Sequence, residues 1–396
     1  MWLFRYLMTV PQTILYFVFS MVPKNKQLWI LSSWKGQKFS DHPKYLYLYL
    51  KKNPQLNIVP IWITKDKQQV FFLKENGVNV YYALSFKGFL AQIRASVAIY
   101  THSVEWEFIP SFVGHTCKRV QTWHGCPIKK IGFDDHRDPY LKLKMAILSV
   151  IAPYLSHRCD LMIAACDDEK KTYEKAFGLR SNKVVVTGHP RLDNVFAQSQ
   201  SKSCNSVKLI YLPTFRGAPG SDFTLWQDSN FPYYELGKLL ELIDGEFYVK
   251  LHPVQQFHER DIALIETIPR IKLIPPDHDI YSDLGSYDIL VTDFSGVYFD
   301  FLITGKPIIM AAIELDAYLK NDRALYYNYD EISPASPCYT WSEVLTQIQY
   351  YARTPMIADK YKRLQDKFHK YKDANSSLRV ITTANKFFTS EHTSCG

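Results

Sequence analysis

Leu161-Met162-Ile163-Ala164-Ala165, followed by the charged stretch 167–177 and then by Val184-Val185-Val186-Thr187, decides the fold. Two short apolar runs flank a segment whose apolar residues recur at helical spacing. A strand covered on both faces loses the polar alternation of a half-exposed one, so this reads as strand, crossover helix and parallel strand. The same unit recurs along the chain, which predicts an α/β protein with parallel sheets.

Working outward, apolar runs at 28–32, 58–63, 78–82, 97–101, 120–123, 161–165 and 184–187 predict strands, with helical patterns such as 43–52 between them. A Ser- and Gln-rich stretch, 197–206, reads as a linker. Strand-like runs resume at 208–212, 247–251, 271–274, 289–292 and 307–311, and 341–388 is helical in pattern. The expected division is an N-terminal segment 1–23, a first α/β domain 24–196, the linker 197–206, a second α/β domain 207–370, and a C-terminal helix and tail 371–396.

With 396 residues, 47% of them hydrophobic and 15% aromatic, the chain can fill two cores. Its 47 basic against 39 acidic residues give +8, which favours anionic partners. Nucleic acid is not expected among them, because no basic helix, zinc-finger spacing or aromatic RNA-binding signature is present. The seven cysteines are odd in number and form no Cys-x-x-Cys pair, so neither a disulfide framework nor a zinc site is indicated, and a reducing cytoplasm is expected. Within 1–23 the uninterrupted apolar part, 13–22, is too short to span ~30 Å of hydrocarbon, and Pro11 and Gln12 interrupt the longer run. A helix lying in a membrane interface is the reading adopted.

In open parallel sheets ligands collect beyond the carboxyl ends of the strands, and every informative cluster falls at such an end. Thr122-Trp123-His124-Gly125-Cys126-Pro127-Ile128-Lys129-Lys130-Ile131-Gly132-Phe133-Asp134 puts a histidine and a glycine after a strand, then two lysines. An imidazole with an ordinary pKa near ~6.5 is suited to take a proton from a hydroxyl, with Asp134 or Asp135 to orient it. Lys250-Leu251-His252-Pro253 supplies a second histidine, suited to a phosphate oxygen or a leaving phosphate. Thr292-Asp293-Phe294-Ser295-Gly296 closes a buried run; Ser295 is placed to cap the helix after it, and Gly296 to admit a diphosphate. Thr214 and Arg216 close the first strand of the second domain, where a guanidinium can pair with phosphate. Arg191, in Gly188-His189-Pro190-Arg191, sits at the exit of the last strand of the first domain. No phosphate-loop, dinucleotide or His-Glu-x-x-His pattern is present, so no metal site is expected.

These clusters, in this order, resemble the CDP-glycerol glycerophosphotransferase family of teichoic-acid and capsule biosynthesis. Residues 123–132 are similar to that family's Trp-His-Gly-Thr-Pro-Leu-Lys-Lys-Ile-Gly; 212–216, 251–253 and 290–300 resemble later motifs, and Trp34-Lys35-Gly36 with Ser40-Asp41-His42-Pro43 an N-terminal one. Cys126 stands where the family has Thr, Gly296 where it has a second Ser, and Ser336-Pro337-Cys338 where a Pro-Gly-Pro turn is common. The resemblance implies a GT-B fold, two Rossmann-like domains with parallel sheets facing a cleft. It also implies an enzyme at the cytoplasmic membrane face that moves glycerol phosphate from CDP-glycerol to a hydroxyl of a polyprenyl-linked glycan. His124 and His252 would be the functional histidines, the second domain would hold CDP-glycerol, and no cofactor would be required. Ribitol-phosphate transfer and sugar transfer from a nucleotide sugar are the alternatives on the same fold.

Overall fold

The computed structural model describes residues 2–135, 138–156, 159–201, 206–216, 221–252, 254–315 and 325–390. Of the sequence expectations, Gly217, Pro253, residues 202–205 of the linker and 391–396 of the tail lie outside the described residues. The chain divides into two compact units. One is formed by Met1–His124, Ile131–Asp193 and Asn375–Gly396, the other by Gly125–Lys130 and Asn194–Ala374.

The first unit carries strands β1 (Asn25–Leu31), β2 (Val59–Thr64), β3 (Val80–Tyr82), β4 (Ala95–Tyr100), β5 (Lys118–Gln121), β6 (Leu161–Ala164) and β7 (Val184–Val186). They form one sheet in the order β3-β2-β1-β4-β5-β6-β7, and every pair in it is parallel. Alternate residues leave on opposite faces. Trp29 and Leu31 therefore join Trp62, Val97, Ile99, Val120 and Leu161 in one core, whereas Ile30, Ile61, Ile63, Ala98 and Tyr100 pack in another on the far face. Coverage of both faces is why most of these strands read as apolar runs; β5, Lys118-Arg119-Val120-Gln121, is the exception.

The second unit carries β8 (Val207–Leu212), β9 (Asp222–Phe223), β10 (Gly245–Val249), β11 (Gln256–Phe257), β12 (Ile271–Leu273), β13 (Ile289–Thr292) and β14 (Ile308–Met310). Its parallel five-stranded sheet runs β12-β10-β8-β13-β14, and β9 pairs β11 separately. Leu209, Tyr211, Phe247, Val249, Ile289, Val291 and Ile309 pack against Trp226, Phe231, Leu240, Trp341 and Val344. Each sheet reverses its strand order once, between β1 and β4 in the first and between β8 and β13 in the second.

The last helix, Ser376–Ser390, belongs to the first unit, where Val380, Ile381 and Ala384 complete the core beside β1. Asp193 fixes its start, accepting from the N–H groups of Ser376 and Ser377 at 2.7 Å each. Gly188, at φ +79°, lies so close that a Cβ there would stand 2.5 Å from Ser376 Oγ.

The N-terminal helix spans Trp2–Ser20 and passes through Pro11 without a break. Pro11 removes one N–H from the helical ladder, and the turns after it are held by packing. Tyr16 is buried with Ala152 and Tyr154, Phe19 meets Phe89 and Phe112 edge-on, and Ser20 Oγ accepts from His115 N at 2.5 Å. Its other face is open, with Val10, Ile14, Phe17, Val18 and Met21 exposed. Among the described residues no helix is long and apolar enough to cross a membrane.

Candidate active site

The first unit gathers its unusual chemistry where β1, β4 and β5 end, at the switch point of its sheet. The exit of β1 is Ser33-Trp34-Lys35-Gly36, that of β4 is Thr101-His102, and that of β5 is Thr122-Trp123-His124. Seven described non-glycine residues have positive φ, and four of them belong here: Trp34 (47°), Lys35 (63°), Asp41 (63°) and Trp123 (54°). Each such residue costs on the order of 1–3 kcal/mol, and strain of that kind gathers at functional sites.

Asp41 ties these loops together. One carboxylate oxygen accepts from Arg191 Nη1 at 2.7 Å and from the N–H of His42 at 2.8 Å, and the other accepts from Trp34 Nε1 at 3.2 Å. Arg191 Nη1 also donates to the carbonyl of His124 at 3.1 Å. The buried pair Arg191–Asp41 thus anchors the histidine's backbone. The His124 ring stacks on Trp123, with centroids 4.3 Å apart, and on His102, 4.6 Å apart with planes 18° from parallel.

Behind Arg191 lies a second layer. His42 is fully buried, its ring 4.5 Å from that of His189. Burial, and then the charges of Arg191, His189 and His124, drive its pKa well below the ordinary value, so His42 is neutral. His189 Nε2 is 3.2 Å from Glu169. Burial alone would raise the Glu169 carboxyl; the charge and hydrogen bond of His189, with the Ala165 N–H and the Tyr173 hydroxyl, outweigh that and lower it.

Sequence reasoning missed His102 and its partner Glu107. The helix Val104–Glu107 turns the fully buried Glu107 back onto the β4 exit. Its carboxylate accepts from the N–H groups of His102 and Ser103 at 3.1 Å and from the Thr101 hydroxyl, and lies 3.3 Å from His102 Nδ1. The available signal was the position of 97–101 as a strand ending beside another switch-point strand, since Thr101-His102-Ser103 carries no motif. Asp134, expected with Asp135 as an orienting acid for His124, lies 3.3 Å from Lys175 Nζ.

In the second unit the β8 and β13 exits meet. Asp293, fully buried, accepts from Thr214 N (2.8 Å), Thr214 Oγ1 (2.5 Å) and its neighbour Phe294 N (2.6 Å), and its other oxygen is 2.8 Å from Arg216 Nη2. Arg216 also donates to Glu314 at 2.6 Å and to the Thr214 carbonyl at 2.7 Å. Burial disfavours its charge, but Asp293, Tyr211 and Glu314 outweigh it and raise the guanidinium's pKa. Three of its nitrogens therefore face protein oxygens, and the residue works as a brace between two loops. Lys250, buried, donates to the carbonyl of Pro276 at 3.0 Å. His252 is exposed, with Phe215 5.4 Å away, and its Nδ1 accepts from Val254 N at 3.4 Å.

Ser295 was expected to cap the helix Val297–Phe301. The cap position is held by Gly296, and Ser295 Oγ only reaches the N–H of Val297 at 3.4 Å. A Cβ at Gly296 would meet the Cys126 carbonyl at 3.4 Å, an ordinary contact. Residues 125–130 belong to this unit: Gly125 has φ 126°, Ile128 O accepts from Tyr326 N at 2.8 Å, Lys129 forms a bridge with Leu325, and Lys130 is partly exposed. Among the described residues no cluster of His, Cys, Asp and Glu could hold a metal ion.

Residues 14–386 match a family model described as CDP-Glycerol:Poly(glycerophosphate) glycerophosphotransferase. The teichoic acid glycerol-phosphate transferase of Staphylococcus aureus (strain NCTC 8325 / PS 47) is 26% identical over 392 residues, covering 93% of this chain and 96% of that protein. The teichoic acid glycerol-phosphate primase of Bacillus subtilis (strain 168) is 29% identical over 273 residues, 67% of each chain. Among solved structures, the wall teichoic acid polymerase TagF aligns with a TM-score of 0.71 at 19% identity, covering 96% of this chain and 93% of that one. That likeness gives the fold, GT-B-like with two parallel-sheet units.

Proposed function

The chain belongs to the CDP-glycerol:poly(glycerophosphate) glycerophosphotransferase family, and from that premise we propose that it transfers glycerol phosphate from CDP-glycerol to a hydroxyl of a lipid-linked or saccharide acceptor, releasing CMP. The observation that carries the reading is the family match over residues 14–386, which takes in the histidine loops at the strand ends of both sheets.

His124 takes the proton of the acceptor hydroxyl. The oxygen attacks the β-phosphorus of CDP-glycerol, and the bond to the CMP oxygen breaks with its electron pair leaving on CMP. The anchoring of His124 by Arg191 and its ring contacts with Trp123 and His102 support this, since a base must be held in one orientation. The second unit holds the donor. There His252 is the exposed ring; Thr214, Ser295 and Gly296 lie on loops that Arg216 and Asp293 brace, and Gly125, Lys129 and Lys130 supply backbone and positive charge.

The enzyme works as a peripheral protein on the cytoplasmic face of the membrane, where a polyprenyl-linked acceptor is found. Two neighbouring helices of the first unit support that placement. Thr13 Oγ1 donates to the Ile151 carbonyl at 3.5 Å. Beside the open face of the N-terminal helix, Leu143, Ile147, Val150 and Ile151 of the helix Leu141–Ile151 are exposed as well. An apolar face of this kind binds at a bilayer interface without crossing it.

The test is incubation of the purified chain with CDP-glycerol and a lipid-linked disaccharide, following product mass and CMP release, with CDP-ribitol and UDP-sugars as parallel donors. His124→Ala is expected to bind CDP-glycerol within about twofold of wild type and to lose at least about a hundredfold in turnover. Release of UDP but not CMP, or unchanged turnover in His124→Ala, overturns the donor or the base assignment respectively.

A further inference from the structure

We propose that Glu107 and His102 form a carboxylate–imidazole pair that positions His124 and sets a negative charge behind it while the acceptor hydroxyl is deprotonated. The proposal rests on His124 as the base and deepens that reading.

The hydrogen bonds fix the His102 tautomer. The single proton of the Thr101 hydroxyl points to Glu107. The Thr101 oxygen already accepts from Trp34 N at 3.2 Å and stands 2.8 Å from His102 Nδ1. With its proton committed, that oxygen can only accept from the ring, and the Glu107 carboxylate 3.3 Å from the same nitrogen is likewise an acceptor. Nδ1 of His102 therefore carries hydrogen, and the ring is locked in plane and tautomer by a carboxylate, as in hydrolase triads.

The consequence falls on His124, because the locked ring lies 4.6 Å from it and within 18° of parallel. His102 is 15% exposed and Glu107 not at all, so neither ring nor carboxylate is free to turn away. Charged groups near His124 include those at the start of the helix Asp41–Lys52, with Asp41 and His42, and at the start of the helix Pro190–Ser199, with His189 and Arg191. Asp41 is bound to Arg191, Glu169 to His189, and His42 is neutral. Lys65 lies near Glu107 but gives its ammonium to the carbonyls of Glu105 and Trp106. Among the described residues Glu107 has only neutral donors and the His102 ring as direct hydrogen-bond partners, so its charge is available to an imidazolium forming on His124.

The test uses the full chain labelled with ¹⁵N-histidine, so that the His124 titration and the kinetics are read on the same protein. Glu107→Gln is expected to lower the His124 midpoint by about one unit, because removing a nearby negative charge disfavours the imidazolium. It should also cut kcat at least about tenfold with KM for CDP-glycerol within about twofold. Glu107 also holds two backbone N–H groups. Should Glu107→Gln fail to fold by circular dichroism, His102→Phe decides: it keeps a flat ring for stacking, removes the Nδ1 hydrogen bond, and is expected to lose at least about fivefold in kcat. A folded Glu107→Gln with an unmoved His124 midpoint, a wild-type kcat in His102→Phe, or losses in KM alone overturn the proposal. Activity surviving in His124→Ala defeats the base assignment itself; an inactive His124→Ala beside fully active Glu107→Gln and His102→Phe defeats only the pair.

Discussion

The two sheets reverse their strand order at equivalent places, and the crevices above those points carry different contents. In the first unit the loops after β1, β4 and β5 bring three indoles and two imidazoles together, with Trp34 and Trp123 held at positive φ. In the second, the loops after β8 and β13 are fastened by one buried carboxylate and one guanidinium. The same topology presents loops at both places; the side chains make one a device for holding rings and the other a brace. Substitutions in the first crevice should therefore be felt mainly in turnover, and those in the second mainly in stability.

The largest expected effect tests the brace. Asp293→Ala leaves Arg216 facing a lost partner and three donors unmet, a change worth about 3–5 kcal/mol, or a fall in melting temperature of roughly 10 °C or more by calorimetry. A drop below about 3 °C breaks the contrast between the crevices. Asp41→Asn sharpens it: asparagine tolerates the positive φ at that site, so the backbone survives while Arg191 loses its counter-charge. Stability should fall by about 2 kcal/mol in denaturant titration, with a larger proportional loss in kcat because Arg191 also holds the His124 carbonyl.

The third expectation concerns pH. His42 has a folded pKa far below its unfolded value, so below about pH 6.5 the unfolded chain binds a proton that the folded chain does not. Stability should be full above that point and fall on acidification, by about 1 kcal/mol between pH 6.5 and 5.5, and His42→Leu should flatten that slope in melts run across the range. Trp34→Phe is the smallest change. It removes the indole hydrogen bond to Asp41 and should cost about 1 kcal/mol or less while raising no KM for the donor.

The parallel sheets were legible because most strands are buried on both faces and bounded by polar helices; all twelve strands of the two large sheets overlap the runs expected as strands. The pair β9 and β11 was not, since two residues carry no period. The C-terminal helix shows an apolar stripe in sequence, but a stripe does not say which sheet it covers; Asp193 and Gly188, far upstream, decide that. His124, Arg191, Asp293 and Arg216 were found by their places at strand ends. Their mutual partners were not, because Asp41 with Arg191 and Asp293 with Thr214 are joined across the chain by folding alone. The pairing of Asp134 with Lys175 of the neighbouring helix was hidden for the same reason: spacing along a loop does not fix direction.

The return of Ser376–Ser390 to the first sheet has a consequence for biosynthesis. The seven-stranded sheet is translated early, yet the helix that completes one of its cores emerges only after the entire second unit has been made. On the ribosome the part of that core that Val380, Ile381 and Ala384 close waits uncovered for most of the chain's synthesis, so nascent protein is expected to lean on chaperones until its final turns appear.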